Sequence, residues 1–567
     1  MNTRDGYLEA GNARHLKEAI PSMSYCKNRW IWIFVLLVFL LLPGKGLASP
    51  RFVSGTPLIP PVAAQGPVAT PVSAKTALSL LGNAQGLLPL QEKFYVTLFN
   101  GSGMRQVTAD LRYPLGNDPK GRLNIYVESG VPVDSGVIES LARQFEETIH
   151  PVINQYFGTE SDIDENNQVT LLITRLDADH ISGYFDSRNQ YSNQWIANSN
   201  EREMIYINSL VLGFGLDTVL QTLAHEFTHL VQWNYNWNYS PDNIWFAEGM
   251  AMYGSYLVGK VSGQKDYWDF GTIQAFLRSY SSISLVDWQQ RYEDYGAAYA
   301  YMVYLSEHYS PGHLRRLFQD PRTDRLDVLA EYLAGYDTNL DEVLVDWAVA
   351  NAFDLADSHY GYSDIAMGLK TSSLPKLSGS SFTLPPWVGR YWQLDSSNKQ
   401  GQVIRLKGQP GLAARLVEKQ ADGKVRVGRF EGAGGDLSYV REPGMDVTEV
   451  ILVATNTEAT QQVSVSLEVL ISPTDNIKAA VLPDLLLPGR YTVLVKAEAG
   501  LDGPPIVEVS GIRGEKKLDL AQMWAAKGMY LTEPFASRAT GQGPVLLEVK
   551  AYKSGKETRM RQTLQLE

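Results

Sequence analysis

Two histidines four residues apart, His225 and His229, lie in a stretch whose apolar residues recur at helical spacing between residues 217 and 232. The pattern predicts a helix with one buried face and with Asp217 as its N-cap. Residues four apart share a helix face, so the two imidazoles are expected about one turn from each other. Two imidazoles in this arrangement can bind one Zn²⁺, with Glu226 beside the metal as general base. The alternative is a helix with two hydrogen-bonded core histidines and a surface glutamate.

A catalytic zinc ion also needs a third protein ligand. Nineteen residues after His229, Glu248 lies within an apolar run over residues 244–253 that predicts a second helix. A carboxylate in such a run is costly to bury unless it is paired or bound to a metal. We therefore expect Glu248 to be the third ligand, and an ion pair between Glu248 and a neighbouring helix is the alternative.

The composition excludes other ways of building such a site. Cys26 is the one cysteine among 567 residues, so neither a disulfide framework nor a cysteine-ligated zinc site is available. The 62 acidic and 50 basic residues give a net charge of −12, which argues against nucleic acid as the main partner. A hydrophobic content of 44% excludes a mostly disordered chain.

The N-terminus predicts a secretory signal peptide. An apolar run over residues 30–42 follows two basic residues and precedes a small-residue cleavage site after Ala48. Residues 1–48 are thus expected to be removed and the protein to be secreted. The alternative is an uncleaved segment that anchors the protein in a membrane. Residues 49–75 carry recurrent prolines among small residues, which predicts an extended spacer without a core of its own.

The pattern His225-Glu226-x-x-His229 followed by Trp245-Phe246-x-Glu248-Gly249 resembles the gluzincin metallopeptidases, and most closely the bacterial secreted hyicolysin-type group. The resemblance covers about residues 124–353 and implies that His225, His229 and Glu248 are zinc ligands and that Glu226 is the catalytic base. Its less specific parts are Gly183-Tyr184-Phe185 and the runs over residues 200–207, 294–299 and 346–348.

The sequence departs from these peptidases in two places. The aminopeptidase branch has a Gly-x-Met-Glu-Asn strand that this chain lacks, which favours an endopeptidase over an exopeptidase. The thermolysin branch has an acid four residues after its glutamate ligand, where this chain has Met252. The hydrogen-bond partner of a zinc-bound imidazole must then come from elsewhere, and Asp217 and Asp242 are both candidates.

Tyrosines can supply the donor that a developing oxyanion needs beside the metal. Tyr295 and Tyr299 lie in a segment that resembles the tyrosine segment of the family, and Tyr295 is the favoured donor. Each can equally be a core or surface aromatic residue.

Two further segments have competing interpretations. Residues 204–208 predict either an edge strand that binds an extended peptide or a core strand. Residues 162–168 resemble the start of a calcium loop. Because Asn167 stands at position six and Ile173 at position twelve, where such loops have glycine and glutamate, a polar turn is favoured over a Ca²⁺ site.

The expected fold is an α+β zincin-like catalytic domain, residues 76–373, followed by two β-sandwich-like modules, residues 374–473 and 474–567. The expected function is a secreted zinc metallopeptidase that uses one catalytic Zn²⁺ on protein or peptide substrates. The alternative function is a catalytically silent surface or adhesion protein that only binds. For the β modules the sequence leaves open binding to a cell surface, to carbohydrate or to protein, and a role as spacers.

Overall fold

The structure is a computed structural model. It describes residues 51–59, 87–116, 121–235, 243–263, 271–309, 314–356, 358–377, 381–396, 402–441, 446–471, 477–483, 489–511, 514–536, 544–553 and 555–565. The predicted signal peptide with Cys26, and most of the predicted spacer, lie outside these residues. Among the helices of the described residues, none is long and apolar enough to cross a membrane.

A seven-stranded mixed sheet underlies the N-terminal region, with the strand order β1-β6-β7-β5-β4-β3-β2. Its strands are β1 (Val53–Ser54), β2 (Gln91–Leu98), β3 (Gly103–Tyr113), β4 (Leu123–Glu128), β5 (Val169–Thr174), β6 (Ile181–Phe185) and β7 (Met204–Asn208). Strand β5 lies between β4 and β7, is parallel to both, and is buried along its whole length. Its continuous apolar sequence is typical of such an interior strand.

Nine α-helices accompany this sheet within the described residues. They are α1 (Ser135–Gln144), α2 (His150–Tyr156), α3 (Leu216–Asn234), α4 (Ile244–Ser262), α5 (Thr272–Ser279), α6 (Tyr292–Tyr309), α7 (Arg315–Phe318), α8 (Arg325–Ala334) and α9 (Leu340–Phe353). Helix α3 packs on β6, β7 and α4, and α4 also packs on α6. The central helices α3 and α4 are therefore buried along most of their length.

The helices predicted over residues 217–232 and 244–253 are confirmed as α3 and α4, but the predicted N-cap is wrong. Helix α3 begins at Leu216, after Gly215, so Asp217 lies inside the first turn. Gly215 has a φ of 101°, a backbone conformation that favours glycine, and the helix starts directly after it, one residue before Asp217. The Asp217 carboxylate still complements the helix dipole.

One of the two predictions for residues 204–208 placed them at the edge of the sheet, and the structure does not. Strand β7 is hydrogen-bonded to β5 on one side and to β6 on the other, so the core-strand interpretation of residues 204–208 is confirmed and the edge-strand interpretation is wrong. Strand β6 lies next to the edge, and β1 pairs with it in parallel. Residues 51–59 therefore belong to the folded region, and the prediction that they form a spacer without a core is wrong.

The C-terminal region consists of β-sheets. Its strands are β8 (Ser381–Leu384), β9 (Gly389–Leu394), β10 (Gln402–Lys407), β11 (Leu412–Gln420), β12 (Val425–Arg429), β13 (Glu431–Ala433), β14 (Asp436–Arg441), β15 (Val447–Asn456), β16 (Val463–Ile471), β17 (Ile477–Pro483), β18 (Arg490–Ala497), β19 (Ile506–Gly511), β20 (Gly514–Leu518), β21 (Leu520–Trp524), β22 (Met529–Thr532), β23 (Phe535–Ala536), β24 (Pro544–Lys553) and β25 (Lys556–Gln565). Strands β8 to β16 form two sheets that share one hydrophobic core, and β17 to β25 form two more around another.

Helix α9 joins the two regions. Its apolar residues share a cluster with residues of β9, β11 and β15. Within this contact the buried Arg415 donates to Asp346 at 2.8 Å and also bonds Glu342. Because a buried guanidinium needs such carboxylate partners, the ion pairs fix where the first group of β-sheets docks on α9.

Candidate metal centre

Helices α3 and α4 bring three potential metal ligands to one point. The Nε2 atoms of His225 and His229 lie 3.1 Å apart. The carboxylate of Glu248 reaches both rings, with Oε2 at 3.1 Å from His225 Nε2 and Oε1 at 3.1 Å from His229 Nε2. His229 and Glu248 are completely buried, and His225 is 5% exposed.

The donor set fits a zinc ion. Ligands bound tetrahedrally at ~2.0–2.1 Å lie about 3.3 Å from one another, close to the separations between these atoms. The two imidazole nitrogens and the carboxylate face one another and are buried, so all three have lost their hydration. A shared partner such as a metal ion replaces the interactions that water would make. Two histidines and one glutamate also leave a fourth position open, as catalytic zinc sites do.

Electrostatics keep the glutamate of this site ionised. Burial by itself would raise the pKa of Glu248, but the charges and hydrogen bonds of His229 and His225 outweigh burial and lower this pKa to about 2. Burial likewise opposes protonation of His229, whose pKa is nevertheless raised by the Glu248 carboxylate. The carboxylate is therefore ionised at neutral pH, as a zinc ligand must be.

Gln232 orients one of the rings. The Nδ1–H of His229 donates to Gln232 Oε1 at 2.7 Å, and Gln232 Nε2 donates to the carbonyl of Ala247 at 2.9 Å. With Nδ1 carrying the proton, the lone pair of Nε2 faces the other ligands. Asp217 is exposed and Asp242 lies outside the described residues, so the structure points to a partner that the sequence did not suggest. Gln232 lies three residues after His229 and so on the same side of the helix, and this spacing was the sequence signal that could have identified it.

Glu226 is a residue of α3 that lies beside the three candidate ligands, and it is completely buried. Its Oε2 accepts a hydrogen bond from the Thr56 hydroxyl at 2.8 Å, and its Oε1 has no hydrogen-bond partner among the described residues. A Cβ at Gly183 would lie 2.6 Å from the carbonyl oxygen of Tyr206 and 3.5 Å from Glu226 Cγ. Only glycine therefore lets β6 pass this close to β7 and to the carboxylate.

The two candidate tyrosines occupy different surroundings. The ring of Tyr295 lies 6.4 Å from that of His225, and its hydroxyl donates to the carbonyl of Ser54 at 3.3 Å. Burial, together with the charges of Glu248 and Glu226, raises the pKa of Tyr295, so the phenol stays protonated and can donate. Tyr299, one turn further along α6, instead packs its ring against Tyr256 at 6.1 Å.

Residues 51–59, which we call the N-terminal strap, contact the centre directly. Thr56 Oγ1 accepts the N–H of Phe185 at 2.9 Å while it donates to Glu226, and Ser54 accepts from Tyr295. Sequence reasoning missed these contacts because the strap offers only two short apolar pairs, Phe52-Val53 and Leu58-Ile59, separated by small residues and Pro57. The side chains of Phe52 and Val53 are buried.

Replacing Gln232 by leucine is expected to lower zinc affinity by about 10- to 100-fold, because His229 loses the acceptor that holds its ring and tautomer. The matched Gln232→Glu variant keeps an acceptor for Nδ1–H and should stay within a few-fold of the native protein. Competition with a fluorescent zinc chelator measures both affinities. A leucine variant that binds zinc as tightly as the native protein would contradict the role of Gln232.

Comparison with known proteins finds a partial relative among the metalloproteases. The sequence is 25% identical to the neutral metalloprotease ShpI of Staphylococcus hyicus, with 46% of this chain and 64% of ShpI covered. The chain thus spans less than two thirds of the length of this relative. No protein-family model matches the chain.

Solved structures add little. A DUF4785 family protein of Legionella pneumophila is 8% identical with a TM-score of 0.13, over 35% of this chain and 66% of that one. A β-glucuronidase of Lactobacillus rhamnosus is 14% identical with a TM-score of 0.15, over 39% and 41%. Likenesses at these scores carry no argument about fold or function. The comparison that carries information on the class of protein is therefore the partial one to a metalloprotease.

Proposed function

We propose that the protein is a secreted zinc-dependent endopeptidase of the gluzincin type that hydrolyses protein or peptide substrates. The observation that carries the proposal is the convergence of His225, His229 and Glu248 within 3.1 Å contacts, with Glu226 buried beside them. The partial similarity to ShpI supports the class of enzyme. The absence of the aminopeptidase strand from the sequence favours internal peptide bonds over chain ends.

His225, His229 and Glu248 would hold the zinc ion. When bound there, zinc supplies Lewis acidity towards the peptide carbonyl and lowers the pKa of water. Glu226 takes the proton from the attacking water and passes it to the leaving amine nitrogen. Its position beside the ligands, with no hydrogen-bond partner for Oε1 among the described residues, suits this exchange.

Tyr295 is the proposed donor to the oxyanion. Its phenol is protonated, lies next to His225 and already donates to a backbone carbonyl, that of Ser54. A substrate carbonyl in the place of the Ser54 carbonyl would receive the same hydrogen bond. Because the negative charge on that oxygen grows in the transition state, the bond strengthens there and favours catalysis over simple binding.

Replacing Glu226 by glutamine should lower kcat by about 10² to 10⁴, because glutamine cannot accept the proton. Bound zinc should remain stoichiometric by metal analysis, since the three ligands are untouched. Cleavage of a peptide library, read by mass spectrometry with and without a zinc chelator, gives the activity and its metal dependence. Native-rate cleavage by the glutamine variant, or no zinc in the purified protein, would refute the proposal and favour a silent binding protein.

The Tyr295→Phe variant should lose about 10²- to 10³-fold in kcat with little change in KM, because one donor to the oxyanion is removed. The Tyr299→Phe variant removes the same hydroxyl one helical turn away, where the ring packs on Tyr256, and should keep kcat within about twofold. Steady-state kinetics on one fluorogenic peptide compares the two. Equal losses in both variants would contradict the assignment to Tyr295.

A further inference from the structure

A second cluster of carboxylates, formed by Asp162, Asp164 and Glu203, lies apart from the histidines. One oxygen from each of the three lies within 4.8 Å of the others. Calcium holds its oxygen ligands at 2.3–2.6 Å, so two ligands of one ion are separated by at most about 5 Å. The three carboxylates are therefore close enough to share one Ca²⁺.

The loop that carries the two aspartates has the backbone of a calcium loop. Asp162 Oδ1 accepts the N–H groups of Asn166 at 2.9 Å and of Asn167 at 3.0 Å, which curls residues 162–168 around the carboxylates. Asn167 has a φ of 58°, the left-handed conformation that glycine usually adopts at the sixth position of such loops. Asparagine tolerates this conformation better than most residues. The departure at position six is thus no obstacle to calcium binding.

Glu203 supplies the acid that the loop lacks at position twelve. Ile173, at that position, is buried in β5. Strand β7 pairs with β5, and the N–H of Thr170 donates to the carbonyl of Glu203 at 2.8 Å. This pairing brings the Glu203 side chain against the loop, where its Oε1 accepts the N–H of Ile163 at 2.9 Å.

The other carboxylate oxygen of Glu203 is buried without a hydrogen-bond partner among the described residues. Glu203 as a whole is 1% exposed, so water does not supply the missing hydrogen bond to Oε2. Burial raises the pKa of Glu203 to about 7, although the Ile163 N–H opposes the shift. A buried carboxylate oxygen without a partner is costly, and a bound cation removes that cost.

We propose that Asp162, Asp164 and Glu203 bind one Ca²⁺, which fixes the loop of residues 162–168 to the start of β7. The remaining coordination positions of calcium are filled by loop oxygens and water, as in other calcium loops. The polar turn favoured by the sequence is thus also a cation site, completed by a residue far along the chain.

The test uses the zinc-loaded protein over residues 49–567, freed of calcium on a chelating resin and resupplied with zinc. Titration with CaCl₂ in a calorimeter should show one site with a Kd between about 10⁻⁶ and 10⁻³ M, and calcium should raise the melting temperature. The Asp164→Asn and Glu203→Gln variants should each weaken calcium binding by about tenfold or more. The Glu165→Gln variant removes an exposed acid of the same loop and should bind calcium like the native protein.

The Glu203→Gln variant also tests whether Glu203 acts as a calcium ligand or only as a structural residue. Without calcium it should melt at or above the native temperature, because a neutral amide is cheaper to bury than a carboxylate. With calcium the native protein should melt higher. No calcium binding by the native protein, or unchanged binding by both ligand variants, overturns the proposal.

The N-terminal strap carries a second inference, which rests on the proposed function. The strap engages three features that a peptidase would use: the base Glu226, the donor Tyr295 and the edge of β6. Val53 N–H donates to His180 at 3.0 Å and Gly55 N–H donates to Gly183 at 2.9 Å. An extended substrate that bound along β6 by main-chain hydrogen bonds would have to take the place of β1.

The strap is closely fitted at Gly55. A Cβ at this residue would lie 2.6 Å from the ring of Phe99 and 2.9 Å from Ile181. On one side Phe52 packs edge-on against Phe214 at 5.0 Å, and Arg51 pairs with Glu293 at 3.4 Å. The strap is thus held by a few specific contacts, and a larger side chain at Gly55 must push Phe99 and Ile181 aside or move the strap.

We infer that the strap is an autoinhibitory segment that occupies the substrate cleft and must leave it before a substrate can bind. Ser54 presents its carbonyl to Tyr295 as a scissile carbonyl would, and Thr56 occupies Glu226. Release of residues 51–59 exposes the base, the donor and the strand edge together.

Two full-chain variants test the strap. The Gly55→Val variant should raise kcat/KM on a fluorogenic peptide by about tenfold or more and should bind acetohydroxamate, a probe of the zinc ion, more tightly. The Gly503→Val variant makes the same substitution at a second glycine whose Cβ would meet no atom within 4 Å, and should change neither value. A synthetic peptide of residues 51–59, added to the Gly55→Val variant, should restore inhibition.

The two readouts separate this inference from the proposed function. Tighter hydroxamate binding without any peptide cleavage would support the strap and refute the peptidase. Cleavage that is unchanged or lower in the Gly55→Val variant, with hydroxamate affinity also unchanged or lower, would make the strap an ordinary strand of the fold and overturn the inference.

Discussion

The contact on which the N-terminal region depends is the meeting of two imidazoles and one carboxylate in the interior between α3 and α4. Each group is expensive to remove from water, and an unpaired one would cost several kcal/mol. Their approach to 3.1 Å requires the two helices to pack at one register. The sheet beneath α3 and the helix α6 beside α4 hold that register, so the fold is arranged around this buried group of polar side chains.

Local patterns predicted the parts of this arrangement that lie within single helices. The 3.6-residue period over residues 217–232 and 244–253 was enough to predict α3 and α4, and the i+4 spacing placed His225 and His229 on one face. The convergence of Glu248 with them was also predicted, because a buried acid needs a partner. The structure confirms the convergence, while the ligand roles remain part of the proposal.

The other features of the fold and of the site depend on contacts between segments that are distant in the chain. A single sequence does not reveal such contacts. Strand β7 alternates as an edge strand would, but tertiary pairing places β6 and then β1 outside it. The proposed calcium loop has no acid at its last position along the chain, and Glu203 reaches it across the pairing of β5 and β7. Thr56 reaches Glu226 from 170 residues away in the chain. In each case a strand pairing, rather than a local propensity, decides the outcome.

The hydrogen bonds of Gln232 have a mechanical consequence. From His229 the path runs through Gln232 to the carbonyl of Ala247, along one peptide to Glu248, and back across 3.1 Å to His229. This closed circuit of bonds connects one turn of α3 to one turn of α4 at two points. Sliding α4 along α3 must therefore break at least one of its bonds. An ion bound there would lock the circuit, and metal affinity and the spacing of the two helices would then vary together.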